Sequence, residues 1–200
     1  MRTLRLFSFL AATCVVASSQ AIVAFSNFGA GDSYNTGSGW SLLSGSHGSQ
    51  YISHQFVSGA SGSLESIEVA FGHVAGTNDY SISLLMDGGD VPGGGITTWS
   101  GVTAGSFGSG GAPIMVINGF PSIVLSSGTK YWVEVKPTSG DTWGAWNFND
   151  QGDTRLMSVS GGAPSTADSG AFRVNVVPEP ASMAALGLGA VALIRRRKSS

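Results

Sequence analysis

The stretch KYWVEVKP, residues 130–137, decides the fold. Tyr131, Val133 and Val135 occupy alternate positions, with Trp132, Glu134 and Lys136 between them. A repeat of two is the β-strand period, so the stretch predicts a strand with one face on a core and one toward solvent. Turn chemistry lies on both sides, in SSGTK before it and TSGD after it.

Working outward, the same alternation returns along the chain. LESIEVAF (64–71) sets Ile67, Val69 and Phe71 against Glu68 and Ala70, and DYSISLLM (79–86) sets Tyr80, Ile82, Leu84 and Met86 against Ser81 and Ser83. AFRVNVV (171–177) sets Phe172, Val174 and Val176 against Arg173 and Asn175. YISHQFV, ITTWSGV, PIMVI, PSIVL, TWGAWNF and RLMSV bring the expectation to about ten short strands. SGASGS, AGTND, DGGDVPGGG and NDQGD separate them, and no long amphipathic helix or fixed-period repeat is visible. The prediction is an all-β, antiparallel β-sandwich, jelly-roll-like, over residues 22–177.

Composition agrees. Of 200 residues 30 are Gly, 42% are hydrophobic and only 11% are charged, which suits strands joined by Gly/Ser turns. The net charge of −2 hides a segregation. All twelve acids lie between Asp32 and Glu179, with only Lys130, Lys136, Arg155 and Arg173 among them, so this body carries −8. Such a surface repels phosphate backbones and argues against nucleic acid as a partner.

The ends read differently. Residues 1–21 hold Arg2 and Arg5, an apolar run from Leu6 to Ala17, and Ser19 and Ala21 at −3 and −1 of a cleavage site. That is a secretory signal peptide cleaved after Ala21. Cys14 offers a lipoprotein reading, which Thr13 before it disfavours; with cleavage at Ala21 the mature chain has no cysteine. At the other end, Pro178, Glu179 and Pro180 precede fourteen mostly apolar residues, 181–194, and then Arg195, Arg196, Arg197 and Lys198. As a helix that span covers roughly 21 Å against about 30 Å of hydrocarbon, a marginal transmembrane segment whose cations would stay cytoplasmic.

This order of parts over 178–200 resembles a PEP-CTERM sorting domain. The resemblance implies recognition of Pro178, Glu179 and Pro180 by exosortase, a membrane protease-transpeptidase, with transient membrane contact before the tail is removed or exchanged. It also implies a Gram-negative bacterium that makes exopolysaccharide. The body is similar to the choice-of-anchor domains of type R: Asn27, Phe28, Tyr34 and Trp40, then QFVSGASGSLESIEVAF, YSISLLMDGGDVPGG and LSSGTKYWVEV follow in one order. That family implies an extracellular β-sandwich and transfers no activity to any residue.

Catalytic patterns are absent: no Gly-x-Ser-x-Gly elbow, no His-Glu-x-x-His and no phosphate loop. The expectation is a non-enzyme without a required cofactor. His47, His54 and His73 lack ligand spacing and read as turn or strand-surface residues. The richest stretch is SGDTWGAWNFNDQGDTR (139–155). Asp141, Trp143, Trp146, Asn147 and Asn149 are candidates for glycan binding, where an aromatic face stacks on sugar C–H groups beside planar acceptors, and Trp40, Trp99 and Trp132 could extend the platform. The alternative is core or edge packing. Trp143 and Trp146, three apart, face opposite ways in a regular strand unless Gly144 introduces a bulge. Asp150 and Asp153 are candidate Ca²⁺ ligands, with Asp87 and Asp90 as a rival pair. Asp141, Asp150 and Asp153 are also the nominal carboxylates of a glycoside hydrolase, which needs two of them roughly 5–10 Å apart.

Overall fold

A computed structural model of the chain describes residues 20–108, 114–118 and 122–179. Most of the expected signal peptide (residues 1–19), Pro180, the expected membrane span 181–194 and the basic residues after it lie outside the described residues. The strands are β1 (Ile22–Ser26), β2 (Gly39–Leu43), β3 (Ile52–Val57), β4 (Gly62–Val69), β5 (Phe71–Ala75), β6 (Tyr80–Asp87), β7 (Pro92–Val102), β8 (Gly105–Ser106), β9 (Met115–Asn118), β10 (Val124–Leu125), β11 (Lys130–Pro137), β12 (Trp143–Asn147), β13 (Thr154–Val159), β14 (Ser165–Asp168) and β15 (Phe172–Val177). All ten expected runs contain strand, and β1, β2, β8 and β14 add to them. LESIEVAF, expected as one strand, is two: β4 ends at Val69, and β5 begins at Phe71 in a different sheet. Apart from a single-turn 3-10 segment at Gly45–His47, no helix occurs among the described residues.

KYWVEVKP becomes β11, in the middle of a six-stranded antiparallel sheet of order β14-β13-β3-β11-β6-β7. Its inward row, Tyr131, Val133 and Val135, pairs with Phe56, His54 and Ile52 of β3 and with Met86, Leu84 and Ile82 of β6. Opposite this layer lie a five-stranded sheet, β1-β15-β4-β10 with β9 also on β4, and a four-stranded sheet, β2-β12-β5-β8. Every pairing is antiparallel except β5 with β8. The two smaller sheets meet at Ala70, whose N–H bonds Ala171 O (3.0 Å) and whose carbonyl accepts from Asn147 N (2.9 Å). The layers close into a β-sandwich over shared aromatic contacts. Phe56 of the large sheet lies 5.5 Å from Phe25 and 5.9 Å from Phe172, and Phe71 lies 5.0 Å from Tyr80. Phe56, Phe71, Phe172, Tyr80 and Trp146 are all fully buried, and each such side chain contributes about 1.5–3 kcal/mol by leaving water.

Two departures from the alternation have physical causes. Trp132, on the outward face of β11, is nevertheless buried: it sits on an interior strand between Gln55 of β3 and Leu85 of β6, and its indole N–H is satisfied by Asp87 Oδ1 (2.8 Å). His54, expected at a surface, lies in the core: β3 is an interior strand, and residue 54 falls on its inward row between Ile52 and Phe56. The imidazole stands edge-on to Trp146 (4.8 Å, 80°), and Nε2 accepts from Gly170 N (3.0 Å). That bond puts the proton on Nδ1, which has no partner among the described residues. Burial, aided by the nearby Arg155 charge, lowers its pKa to about 3.

Candidate functional site

Antiparallel pairing gives the sandwich two ends. One collects the loops 58–61, 88–91 and 126–129; the other collects 44–51, 76–79, 138–142 and 160–164.

The chain enters and leaves the body at the first end. β15 lies between β1 and β4, and Ile22 pairs with Val176. Neighbouring strands lie about 4.8 Å apart, so the expected cleavage point after Ala21 and the exit at Val177 sit on adjacent strands. Val177 still pairs with Ser63. A Cβ on Gly62 would fall 2.5 Å from the Val177 carbonyl, so glycine there permits the close approach. Pro178 follows at once, half-buried, and Glu179 is exposed. Pro178 has no N–H to offer a ladder, which stops the strand at the first residue of the motif.

The far end holds part of the expected glycan stretch. Trp143 opens β12 and is 38% exposed, with the His47 ring 5.6 Å away. Asp141 accepts from Thr77 N (3.2 Å), and hydrogen bonds from Thr77 lower its pKa. Three loops are tied here: Ser44 N–H and Ser46 N–H donate to Thr142 O and Gly140 O, and Thr142 Oγ1 donates to Thr77 O (2.7 Å). Gly45 (φ +53°) and Gly76 (φ +75°) are required, since a Cβ would lie 1.6 and 1.7 Å from the carbonyls of Gly140 and Asp141. Beside this loop cluster opens a cleft of about 230 Å³ lined by Ser44, Ser49, Gln50, Tyr51 and Lys136, with the Lys136 ammonium 5.0 Å from the Tyr51 ring centroid. Among the described residues Lys130, Arg155 and Arg173 pair with carboxylates, whereas Lys136 forms no such pair. No single stretch of sequence signals this cleft, because Tyr51 and Lys136 belong to different candidate strands and only strand pairing joins them.

The remaining predicted residues are placed elsewhere. Trp146 is fully buried, donates to Ala171 O (3.1 Å) and touches Phe172 and His54, so it offers no stacking face. Asn147 is buried and donates to Asn35 O; Asn149 is buried and donates to Asp153 O and Ser169 O. Asn149 Oδ1 accepts from Gln151 N and Asp153 N, an Asx turn that occupies the oxygen a sugar hydroxyl would need. Asp150 accepts from Gln151, and a hydrogen bond from Ser33 leads the lowering of its pKa. Asp153 is bonded by Asn27 and Arg155. Asp87 takes N–H donors from Gln55, Trp132, Gly89 and Asp90; partial burial raises its pKa, but those bonds prevail and hold it at about 2. Asp90 pairs with Lys130. Among the described residues no group of three or more His, Cys, Asp or Glu could hold a metal. Asp141 precedes β12 while Asp150 and Asp153 follow it, and a five-residue strand spans roughly 17 Å, so the three do not face one cleft. Of the other tryptophans, Trp40 donates to Asp168 O and packs edge-on to Phe148, and Trp99 donates to Asn118 O. The indole expected to be one of two opposed faces is resolved by the sheet. Trp143 points out and Trp146 in, with a register shift between Trp143 and Gly144 and the Tyr80 hydroxyl filling the space a Cβ on Gly144 would need.

Residues 176–198 match the family model of the PEP-CTERM protein-sorting motif. The match starts inside β15, so the sorting signal and the last core strand share Val176 and Val177. The described body is thus all-β, and the motif marks the chain for export and exosortase-dependent sorting to the surface or extracellular space. None of the curated proteins matches the chain. Among solved structures, one of the infectious bursal disease virus Gx strain aligns at 13% identity and a TM-score of 0.29, over 92% of this chain and 46% of that one. That likeness is too loose to define a fold. Among the described residues no helix is long and apolar enough to cross a membrane.

Proposed function

We propose that this chain is a non-catalytic, choice-of-anchor-like β-sandwich that an exosortase-type enzyme of a Gram-negative bacterium delivers to the cell surface or exopolysaccharide matrix, where it acts structurally or adhesively. One observation carries the reading: the matched sorting segment overlaps β15 at Val176 and Val177 and leaves no linker, so processing at the motif would release the sandwich itself. The tail would contact the inner membrane only in transit. The test is to express the full chain and a chain stopped after Val177, fractionate the cells, and determine both termini by mass spectrometry. The full chain should lose residues 1–21 and its tail and reach the surface fraction, while the shortened chain should stay soluble. Identical partitioning of the two would sink the sorting role.

A second reading has its own support, the exposed Trp143 beside His47, Asp141 and the Tyr51/Lys136 cleft. The far end would then bind extracellular polysaccharide, Trp143 stacking on sugar rings and Lys136 meeting an acidic substituent.

A further inference from the structure

The end where the chain enters and leaves carries a second signature. Among the described residues, ten large apolar side chains are well exposed, and six of them cluster at strand ends or loops of this end: Ile22, Val23, Val57, Met86, Val91 and Val124. The other four, among them Val74 and Val159, lie on other parts of the body. The loops between the six are small and neutral, Ser58–Gly59–Ala60–Ser61 and Ser126–Ser127–Gly128–Thr129, and they bond one another through Ser127 N to Ser61 Oγ and Gly128 N to Ser58 O. The charged groups of these loops are tied internally, Lys130 to Asp90 and Asp87 to four N–H donors, while Glu179 of the motif stays exposed at the exit. A cleft of about 440 Å³ opens among Met86, Thr129, Lys130 and Tyr131. Apolar side chains on a self-bonded surface with few free charges suit the headgroup–acyl boundary of a bilayer, where Glu179 at the rim can stay among the headgroups. The rest of the body, by contrast, holds most of its acids.

We propose that this end is a membrane-docking face, which seats on the lipid surface while the sorting segment is embedded and presents the opposite end, with Trp143 and Lys136, outward. The inference rests on reading residues 178–200 as a membrane-read segment. Because Pro178 follows the last ladder pair directly, the body has no slack to stand away from the bilayer. Docking would also fix the motif's height for the processing enzyme.

The test uses the full chain with Cys14→Ser and single cysteines, Val57→Cys, Met86→Cys or Val91→Cys at this end and Val74→Cys or Val159→Cys elsewhere, each carrying a fluorophore. The protein is reconstituted into phosphatidylethanolamine/phosphatidylglycerol vesicles, with a quencher on the lipid. Fluorophores at the first three positions should be quenched several-fold more than the other two. The contrast should persist when a Gly/Ser spacer of about 12 residues, reaching roughly 20 Å, is inserted between Val177 and Pro178. If the chain floats with the vesicles but the spacer erases the contrast, the face has no lipid affinity and docking is overturned while the membrane segment stands. If the chain does not float at all, the segment reading falls and docking falls with it.

Discussion

The two ends of this sandwich are built from the same Gly/Ser turns but are held in different ways. At the entry and exit end, the first and last strands of the body pair with each other, and β15 carries Phe172, Val174 and Val176 into the core. At the far end, loops from three parts of the chain are laced by backbone hydrogen bonds around Gly45 and Gly76, and the side chains left over, Trp143, His47, Asp141 and Lys136, face solvent. The first end is held mainly by the pairing and burial of its strands, and the second mainly by hydrogen bonds among its loops. Substitutions at the two ends therefore differ in kind: one set tests folding, the other recognition.

The strongest challenge to this contrast is Phe172→Ala. Phe172 packs on Phe25 (4.6 Å), Phe56 and Trp146, and emptying that site should cost about 3–5 kcal/mol, read from the denaturant midpoint. A loss below about 1 kcal/mol would mean that the strand leading into the sorting motif is not a core strand. His54 gives an intermediate effect. Its pKa is about 3 folded, against 6.5 for the free side chain, so between those values the unfolded chain binds a proton that the folded chain refuses. Stability should therefore be complete above pH 6.5, fall as pH drops, by up to ~1.4 kcal/mol per unit, and level off near pH 3. Denaturation curves at pH 7 and 5 should show this slope, and His54→Gln should flatten it; parallel profiles would remove His54 from the core account. Trp143→Ala should cost far less than Phe172→Ala, about 1 kcal/mol, because that side chain lies at the surface, 38% exposed, and packs only in part. In a titration with acidic and neutral polysaccharides it should abolish any fluorescence response, and an unchanged response would remove Trp143 from the second reading.

Much of the fold was legible because strand alternation is a local property. Tyr131, Val133 and Val135 had to share a face, and so did Phe172, Val174 and Val176. The sorting motif was legible for a related reason, since its proline pair, apolar span and basic tail are contiguous. The glycan stretch was legible only in part: spacing placed Trp143 and Trp146 on opposite faces, yet could not say which was outward. His54 escaped because burial depends on which strands flank β3, and the Tyr51–Lys136 pair escaped because its members sit on separate strands.

By itself, then, the sequence determined the strand period, the acidic body and the C-terminal sorting motif, all of which need only residues near one another along the chain. The tertiary structure alone decided that Ile22 lies opposite Val176, that Trp146 is core and Trp143 surface, and that exposed apolar side chains gather where both termini emerge. Those outcomes follow from strand register between distant segments, which is set by how the buried faces fit together and is not encoded in any single stretch.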